Sequence, residues 1–85
     1  IDKSFIDEIA YDYKARQIVK TIIEFGRIMG IQTVAEGVED AKQVETLKKL
    51  KCDIIQGFYF SKPIPKADYD KFLSSNPFEK KEANQ

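Results

Sequence analysis

Apolar residues in the first half of the chain recur at the spacing of a helix. Between about residues 12 and 29 they return every three or four positions, which predicts a helix with one apolar face. Asp12 is a suitable N-cap, and Gly30 stands where a left-handed C-cap glycine is expected. Gly26 inside the helix costs about 1 kcal/mol against alanine unless a neighbouring backbone packs close to it. The predicted apolar face consists of Ile18, Ile22, Phe25 and Met29, broadened by Val19 and Ile23.

Two shorter apolar runs predict strands, over residues 31–35 and 52–60. Between them, Asp40 and Gln43 have the spacing of a capping box that opens a second helix. A last short helix is expected over 66–73. Residues 1–9 fit a strand end followed by a loop that carries Phe5, Ile6 and Ile9 into the core.

This order predicts an α/β fold of β-α-β-α-β-α type with parallel strands. Both strands are apolar at successive positions, as expected when both faces of a sheet are covered. Two or three strands make neither a closed barrel nor a comfortable open sheet, so we expect self-association through exposed strand edges. The ordered domain is expected over 1–76, and the polar residues 77–85 are expected to form a mobile tail.

Composition narrows the possible functions. Fourteen basic and fourteen acidic residues cancel, so no long-range field attracts a nucleic-acid polymer or an anionic membrane, although a site for one small anion remains possible. With no histidine and only Cys52, a zinc site of the usual type is nearly excluded, which leaves oxygen-bound Mg²⁺ or Mn²⁺. No apolar run approaches the roughly 20 residues that span a bilayer. The chain starts at Ile1 without an initiator methionine, which suggests that N-terminal sequence is missing.

Polar residues follow the predicted strands at their carboxyl ends, where ligands collect in parallel α/β folds. Glu36 and Glu39 follow the first strand, Gln56 lies late in the second, and Asp2 ends the opening segment. Each also has a simpler reading. These readings are a solvated loop carboxylate for Glu36, a helix N-terminal charge for Glu39, a satisfied core amide for Gln56 and a residue that ties its own loop for Asp2.

Three blocks of sequence together resemble the last third of an EAL domain. They are I-D-K-S-F-I at 1–6, A-E-G-V-E-D at 35–40 and C-D-I-I-Q-G-F-Y-F-S-K-P-I-P at 52–65. The resemblance implies the carboxyl-terminal segment of a modified (β/α)8 TIM-type barrel. It also implies that the parent hydrolyses bacterial cyclic di-GMP to the linear dinucleotide, using Mg²⁺ or Mn²⁺.

The same resemblance implies roles for individual residues. Glu36 matches the catalytic glutamate at the metal and water centre, which it contacts directly or through water. Gln56 matches a glutamine near that centre, Glu39 a supporting glutamate of the same loop, and Asp2 the aspartate of the Lys-x-Asp element. The lysine of that element would precede Ile1.

Other parts of the family's metal site are missing from these residues, among them the Glu-Ala-Leu signature, an asparagine, a further glutamate and paired aspartates. We therefore expect the parent domain to be a cytoplasmic bacterial phosphodiesterase, and the chain alone to be inactive and to bind no metal. Two alternatives stay open. One is a degenerate parent domain that binds cyclic di-GMP as a receptor without hydrolysis, and the other is a purely structural remnant.

Overall fold

A computed structural model describes residues 1–57, 62–75 and 78 of the chain. The main helices and strands follow the predicted α/β order, but a short helix at Lys3–Ile6 stands where a loop was expected, and Ile64–Pro65 forms an additional strand. A short 3₁₀ turn at Lys66–Asp68 leads into the last helix. The elements are α1 (Lys3–Ile6), α2 (Tyr13–Met29), β1 (Val34–Ala35), α3 (Ala41–Leu50), β2 (Ile54–Ile55), β3 (Ile64–Pro65) and α4 (Tyr69–Ser74).

The sheet has the order β1-β2-β3. β1 and β2 are parallel, as predicted, and Ala35 lies beside Ile55. β3 is antiparallel to β2, a pairing that the helix and strand pattern did not predict. Only eight residues separate Ile55 from Ile64, fewer than the dozen or more that a crossover between parallel strands requires.

The opening segment belongs to the sheet even though it is not counted among its strands. The Ile1 nitrogen donates to the Val34 carbonyl, and the Glu36 N–H donates to the Ile1 carbonyl at 3.1 Å. These two bonds are the pattern of a parallel bridge between Ile1 and Ala35. The predicted strand end at Ile1 thus extends the parallel register to three neighbouring segments.

Helix α2 begins and ends where its caps predict. The Asp12 carboxylate accepts a bond from the Lys14 N–H, and Gly30 has φ +71°. Gly26 is buried because Thr33 and Ile31 lie against it: a Cβ there would sit 2.9 Å from Thr33 Cγ2 and 3.0 Å from the Ile31 carbonyl oxygen. The close approach explains a glycine inside the helix.

The prediction of the buried face of α2 is wrong for its main stripe of apolar residues. The buried side is formed by Ala15, Val19, Ile23 and Gly26. Because the helix carries apolar residues over a wide arc, one stripe faces the sheet and the next is left at the surface. We call the exposed set the α2 stripe: Ile18, Ile22, Phe25 and Met29, with 45%, 38%, 62% and 57% of their surface accessible.

Helix α3 has a capping arrangement close to the predicted one. Asp40 Oδ1 accepts from the Gln43 N–H at 2.8 Å. The Gln43 side chain, however, accepts from the N–H of Glu39, one residue before the cap, at 2.7 Å. At the other end, Lys51 is the C-cap with φ +67°, a conformation that usually selects glycine.

The core lies where the helices meet the sheet. Ile6 and Ile9 are fully buried as predicted, whereas Phe5 is 36% exposed. Cys52 is a buried free thiol, as expected for a small apolar residue. The cluster comprises Ile6, Ile9, Val19, Ile23, Ala35, Val38, Val44, Leu47, Cys52, Ile55, Tyr69 and Phe78.

Helix α4 is fastened to the start of β2 by a buried hydrogen bond. Tyr69 is fully buried, and its hydroxyl donates to the Cys52 carbonyl at 2.8 Å. Burial raises the pKa of this phenol, so it stays a neutral donor at physiological pH. This bond fixes the carboxyl-terminal helix on the sheet.

Some predictions cannot be compared with the fold. The extension of the second strand to Phe60 and the mobile tail at 77–85 lie outside the described residues, except for Phe78. Within the described part, no helix has both the length and the apolar character needed to cross a membrane.

Replacing Tyr69 with Phe should lower the free energy of unfolding by about 1–2 kcal/mol, because the buried Cys52 carbonyl would lose its donor. Urea denaturation followed by circular dichroism measures this. Tyr11→Phe is the matched control, since Tyr11 is 70% exposed and should change stability by less than about 0.5 kcal/mol. Equal effects of the two substitutions would refute the anchoring role.

Candidate functional site

The parallel register brings three of the predicted site residues to one edge of the sheet. Ile1, Ala35 and Ile55 lie side by side, so Asp2, Glu36 and Gln56 each occupy the next position. The Gln56 N–H donates to the Ala35 carbonyl at 2.8 Å. The three residues therefore follow neighbouring parallel segments at the same level.

Alternation of side chains places Glu36 and Gln56 on the same face. Ala35 and Ile55 are fully buried, whereas Glu36 and Gln56 are exposed. Successive residues of a strand point to opposite faces, so both polar side chains point away from the helix-covered side. Gln56 is therefore exposed, which excludes the core amide that the sequence left as an alternative.

Asp2 is close in register but its carboxylate is already engaged. Asp2 Oδ2 accepts from the Ser4 N–H at 3.0 Å and from Ser4 Oγ at 2.6 Å. The bonds from Ser4, the hydroxyl first, lower the pKa of Asp2 and favour the charged carboxylate. The side chain caps α1, which is the loop-tying role that the sequence also allowed.

Glu39 is held by a residue that the sequence analysis missed. Lys3 Nζ lies 2.7 Å from Glu39 Oε1 and 2.9 Å from Asp7 Oδ1. The bond to Glu39, followed by that to Asp7, raises the pKa of Lys3. The four-residue spacing between Lys3 and Asp7 is the only part of this arrangement that the local sequence indicates. The Glu39 contact joins two loops that are distant along the chain.

The turn after Glu36 depends on Gly37 and packs beneath Lys3. Gly37 has φ +73°, and a Cβ there would lie 2.4 Å from Lys3 Cγ. One residue later, the Val38 N–H donates to the Gln56 carbonyl at 2.9 Å. Gly37 therefore allows both the sharp turn predicted from the sequence and the close passage of the lysine stem.

The donors at this edge suit a hard cation but form only part of a site. The Glu36 carboxylate and the Gln56 amide oxygen are ligands of the kind that Mg²⁺ and Mn²⁺ prefer. The carboxylate of Asp2 is occupied by Ser4, and that of Glu39 by Lys3. Over residues 1–57, 62–75 and 78, no cluster of three acidic or thiol side chains is arranged to hold a metal ion.

Comparison with protein families identifies one match that covers most of the chain. The sequence model of the EAL domain matches residues 1–63. This range includes Asp2, Glu36, Glu39 and Gln56.

The curated relatives include bacterial signalling proteins. The signaling protein YkoW of Bacillus subtilis is 46% identical over 77 residues, covering 91% of this chain and 10% of YkoW. The bifunctional diguanylate cyclase/cyclic di-GMP phosphodiesterase MucR of Pseudomonas aeruginosa is 43% identical over 65 residues, covering 76% of this chain and 10% of MucR. The chain thus spans about a tenth of each relative.

A solved structure gives the same similarity in three dimensions. The PaMucR phosphodiesterase in complex with c-di-GMP matches with a TM-score of 0.67 and 43% identity. The match covers 76% of this chain and 26% of that one.

Gly37→Ala should reduce the free energy of unfolding by more than Gly30→Ala. Both glycines have φ near +70°, where alanine costs about 1–2 kcal/mol. At Gly30 no atom lies within 4 Å of the added Cβ, whereas at Gly37 the methyl group displaces Lys3 from Glu39. Urea unfolding of both variants measures the difference.

The added loss at Gly37 should be below about 1 kcal/mol, because the Lys3–Glu39 pair is partly exposed. It should shrink in 1 M salt, which screens the pair. Equal losses at both glycines would show that Lys3 packing contributes nothing to this turn.

Proposed function

Because the chain belongs to the EAL domain family, we propose that it is the carboxyl-terminal part of a metal-dependent cyclic di-GMP phosphodiesterase. The predicted fold class is confirmed: solved EAL structures, which are TIM barrels, share its fold. Relatives of the chain include cyclic di-GMP phosphodiesterases, and MucR has been solved with c-di-GMP bound. The chain spans a small share of these proteins, so activity belongs to the complete domain.

One observation carries this proposal: Glu36 and Gln56 lie side by side at the carboxyl ends of adjacent parallel strands. In a TIM-type barrel, catalytic residues come from this end of the strands. The exposed Glu36 carboxylate would hold Mg²⁺ or Mn²⁺ directly or through a water, and the Gln56 amide would orient that water or the substrate. Glu39, held by Lys3, would keep the loop in place.

The metal, when bound, neutralises charge that develops on the phosphodiester and lowers the pKa of a bound water. The chain's own contribution is a carboxylate at a fixed level of the sheet, since the backbone bond from the Glu36 N–H to Ile1 determines its position. One free carboxylate and one amide cannot hold two cations. We therefore propose that the 85-residue chain has no hydrolytic activity by itself.

The α2 stripe supports the proposal that the chain completes a larger barrel. At 100° per residue, the stripe lies on the flank of α2 opposite to the side that faces α3. In a TIM barrel each helix of the outer ring has a neighbour on both sides. We infer that the preceding unit of the barrel covers Ile18, Ile22, Phe25 and Met29 in the complete domain.

In the isolated chain, a second copy would cover the same stripe. We propose that the expected self-association uses this stripe and not the strand edges, because the Ile1 backbone already bonds to the outer edge of β1. We further propose that the complete domain works in the bacterial cytoplasm, where a free buried thiol such as Cys52 is usual.

Glu36→Gln in the complete domain should lower the rate of metal-dependent cyclic di-GMP hydrolysis by about 100-fold or more, since it removes a charge aimed at the reaction centre. Chromatography of the linear dinucleotide product measures the rate. Glu45→Gln, at an exposed position of α3, is the matched control and should retain full activity. Near-normal turnover of the Glu36 variant would remove this residue from the mechanism. Binding of cyclic di-GMP by the unaltered domain without hydrolysis would instead identify a receptor.

The 85-residue chain should form dimers or larger species at micromolar concentrations, and Phe25→Lys should return it to a monomer. The charge would lie in the apolar contact, where it cannot be solvated. Sedimentation velocity measures both species. Ile28→Lys is the control, because Ile28 is 80% exposed on the same helix but outside the stripe. A monodisperse monomer of the unaltered chain would refute the contact.

A further inference from the structure

A second cleft opens at the other end of the sheet, between α2 and α3. Its volume is about 640 Å³, within the range of roughly 300–1,000 Å³ that is common for small-molecule sites. It runs along α2 from Arg16 to Arg27 and reaches the last turn of α3 and the amino end of β2, where Asp53 precedes the strand. We call it the α2–α3 cleft. Glu36 and Gln56 lie at the opposite ends of the strands.

Cations dominate the wall of the α2–α3 cleft although the chain as a whole is neutral. The two acidic side chains at the cleft are Glu24 and Asp53. The cationic side chains are Arg16, Lys20, Arg27, Lys49, Lys51 and Lys66.

Helix ends do not account for this concentration of charge. The carboxyl ends of α2 and α3 each carry about half a negative charge, so together they offset about one cation. Glu24 and Asp53 offset two more. Of the six cations, the equivalent of about three remains uncompensated by these groups.

The few internal bonds in the cleft leave most of the cations available. Arg16 Nη1 donates to the Ile9 carbonyl at 3.0 Å, and Lys66 Nζ lies 3.3 Å from Asp53 Oδ1. Asp53 also accepts from the Thr33 N–H at 2.9 Å. Within the described residues, Lys20, Arg27, Lys49 and Lys51 form no ion pair.

Lys51 combines a strained backbone conformation with a position at the cleft. It is the only described non-glycine residue with positive φ, at the C-cap of α3 where glycine relieves strain. A lysine there is less favourable for the backbone, yet it places an ammonium group at the cleft. Backbone strain at a cavity is a reason to look for a function there.

We propose that the α2–α3 cleft binds a phosphate-bearing small molecule that has an apolar or aromatic body. The cations provide charge-assisted bonds for the phosphate oxygens. Ile23, Ile31 and Leu50 supply an apolar wall, and Ile31 is 59% exposed in the chain alone. The described lining comes from this chain alone, so the 85-residue chain is sufficient for a binding test.

Heteronuclear NMR titration of the 85-residue chain with three probes tests this proposal. ADP combines charge with an aromatic body, pyrophosphate supplies charge alone, and adenosine supplies the body alone. We expect saturable shifts at the amides of Gly30, Gln32 and Lys51, with none at Gly37. ADP should bind at least about tenfold more tightly than adenosine, and more tightly than pyrophosphate. Added salt should weaken binding.

Substitutions separate a built site from general attraction to lysines. Lys20→Gln and Arg27→Gln should each weaken ADP binding about tenfold, as expected for the loss of one charge-assisted hydrogen bond. Lys14→Gln, an exposed lysine of α2 outside the cleft, makes the same charge change and should have no effect. Lys51→Gly should weaken binding while keeping or raising the urea midpoint, because glycine accepts the positive φ.

Three results would overturn the proposal: shifts that do not saturate, shifts spread evenly over the surface, or an equal effect of Lys14→Gln and Lys20→Gln. Equal affinities for ADP and pyrophosphate would show that the apolar wall does not contribute to binding and would refute that part of the proposal. A folded spectrum of each variant before titration excludes loss of structure as the cause. The α2 stripe lies on the opposite flank of α2, so association of two copies leaves the cleft open.

Discussion

The parallel register of Ile1, Ala35 and Ile55 is the constraint on which the structure depends. Backbone hydrogen bonds link the three segments side by side, and each is followed by a polar residue at the same level. Because the bonds involve only backbone atoms, they determine position without selecting the side chains. The site residues can therefore be polar while the residues just before them belong to the core.

Helix α2 shows what a segment of a barrel needs from its neighbours. One side of α2 is buried on the sheet, one flank carries the cations of the α2–α3 cleft, and the other carries the α2 stripe. A soluble domain seldom leaves a helix apolar on two sides. The distribution fits an outer-ring helix whose sheet and one neighbour are present, with a further neighbour expected on the apolar flank.

Local signals were predicted well, and contacts between distant residues were not. The caps of α2 at Asp12 and Gly30 depend on a few adjacent residues, so the sequence was sufficient. The buried stripe of α2 was misjudged because the sheet's position, not helical spacing, decides which apolar stripe is covered. The role of Lys3 was missed because its partner Glu39 is distant along the chain. Strand β3 was missed because it has only two residues, one of them a proline, and gives no strand pattern. Glu36 and Gln56 could be placed together because strand order alone aligns them.

The contacts around Gly37 join the three loops that follow Ile1, β1 and β2. Lys3 reaches from the first to Glu39 in the second, and the Val38 N–H bonds to the Gln56 carbonyl at the third. Movement of one of these loops breaks a contact with another. Among the described residues, this edge of the sheet is therefore a set of linked loops in which the displacement of one disturbs the contacts of the next.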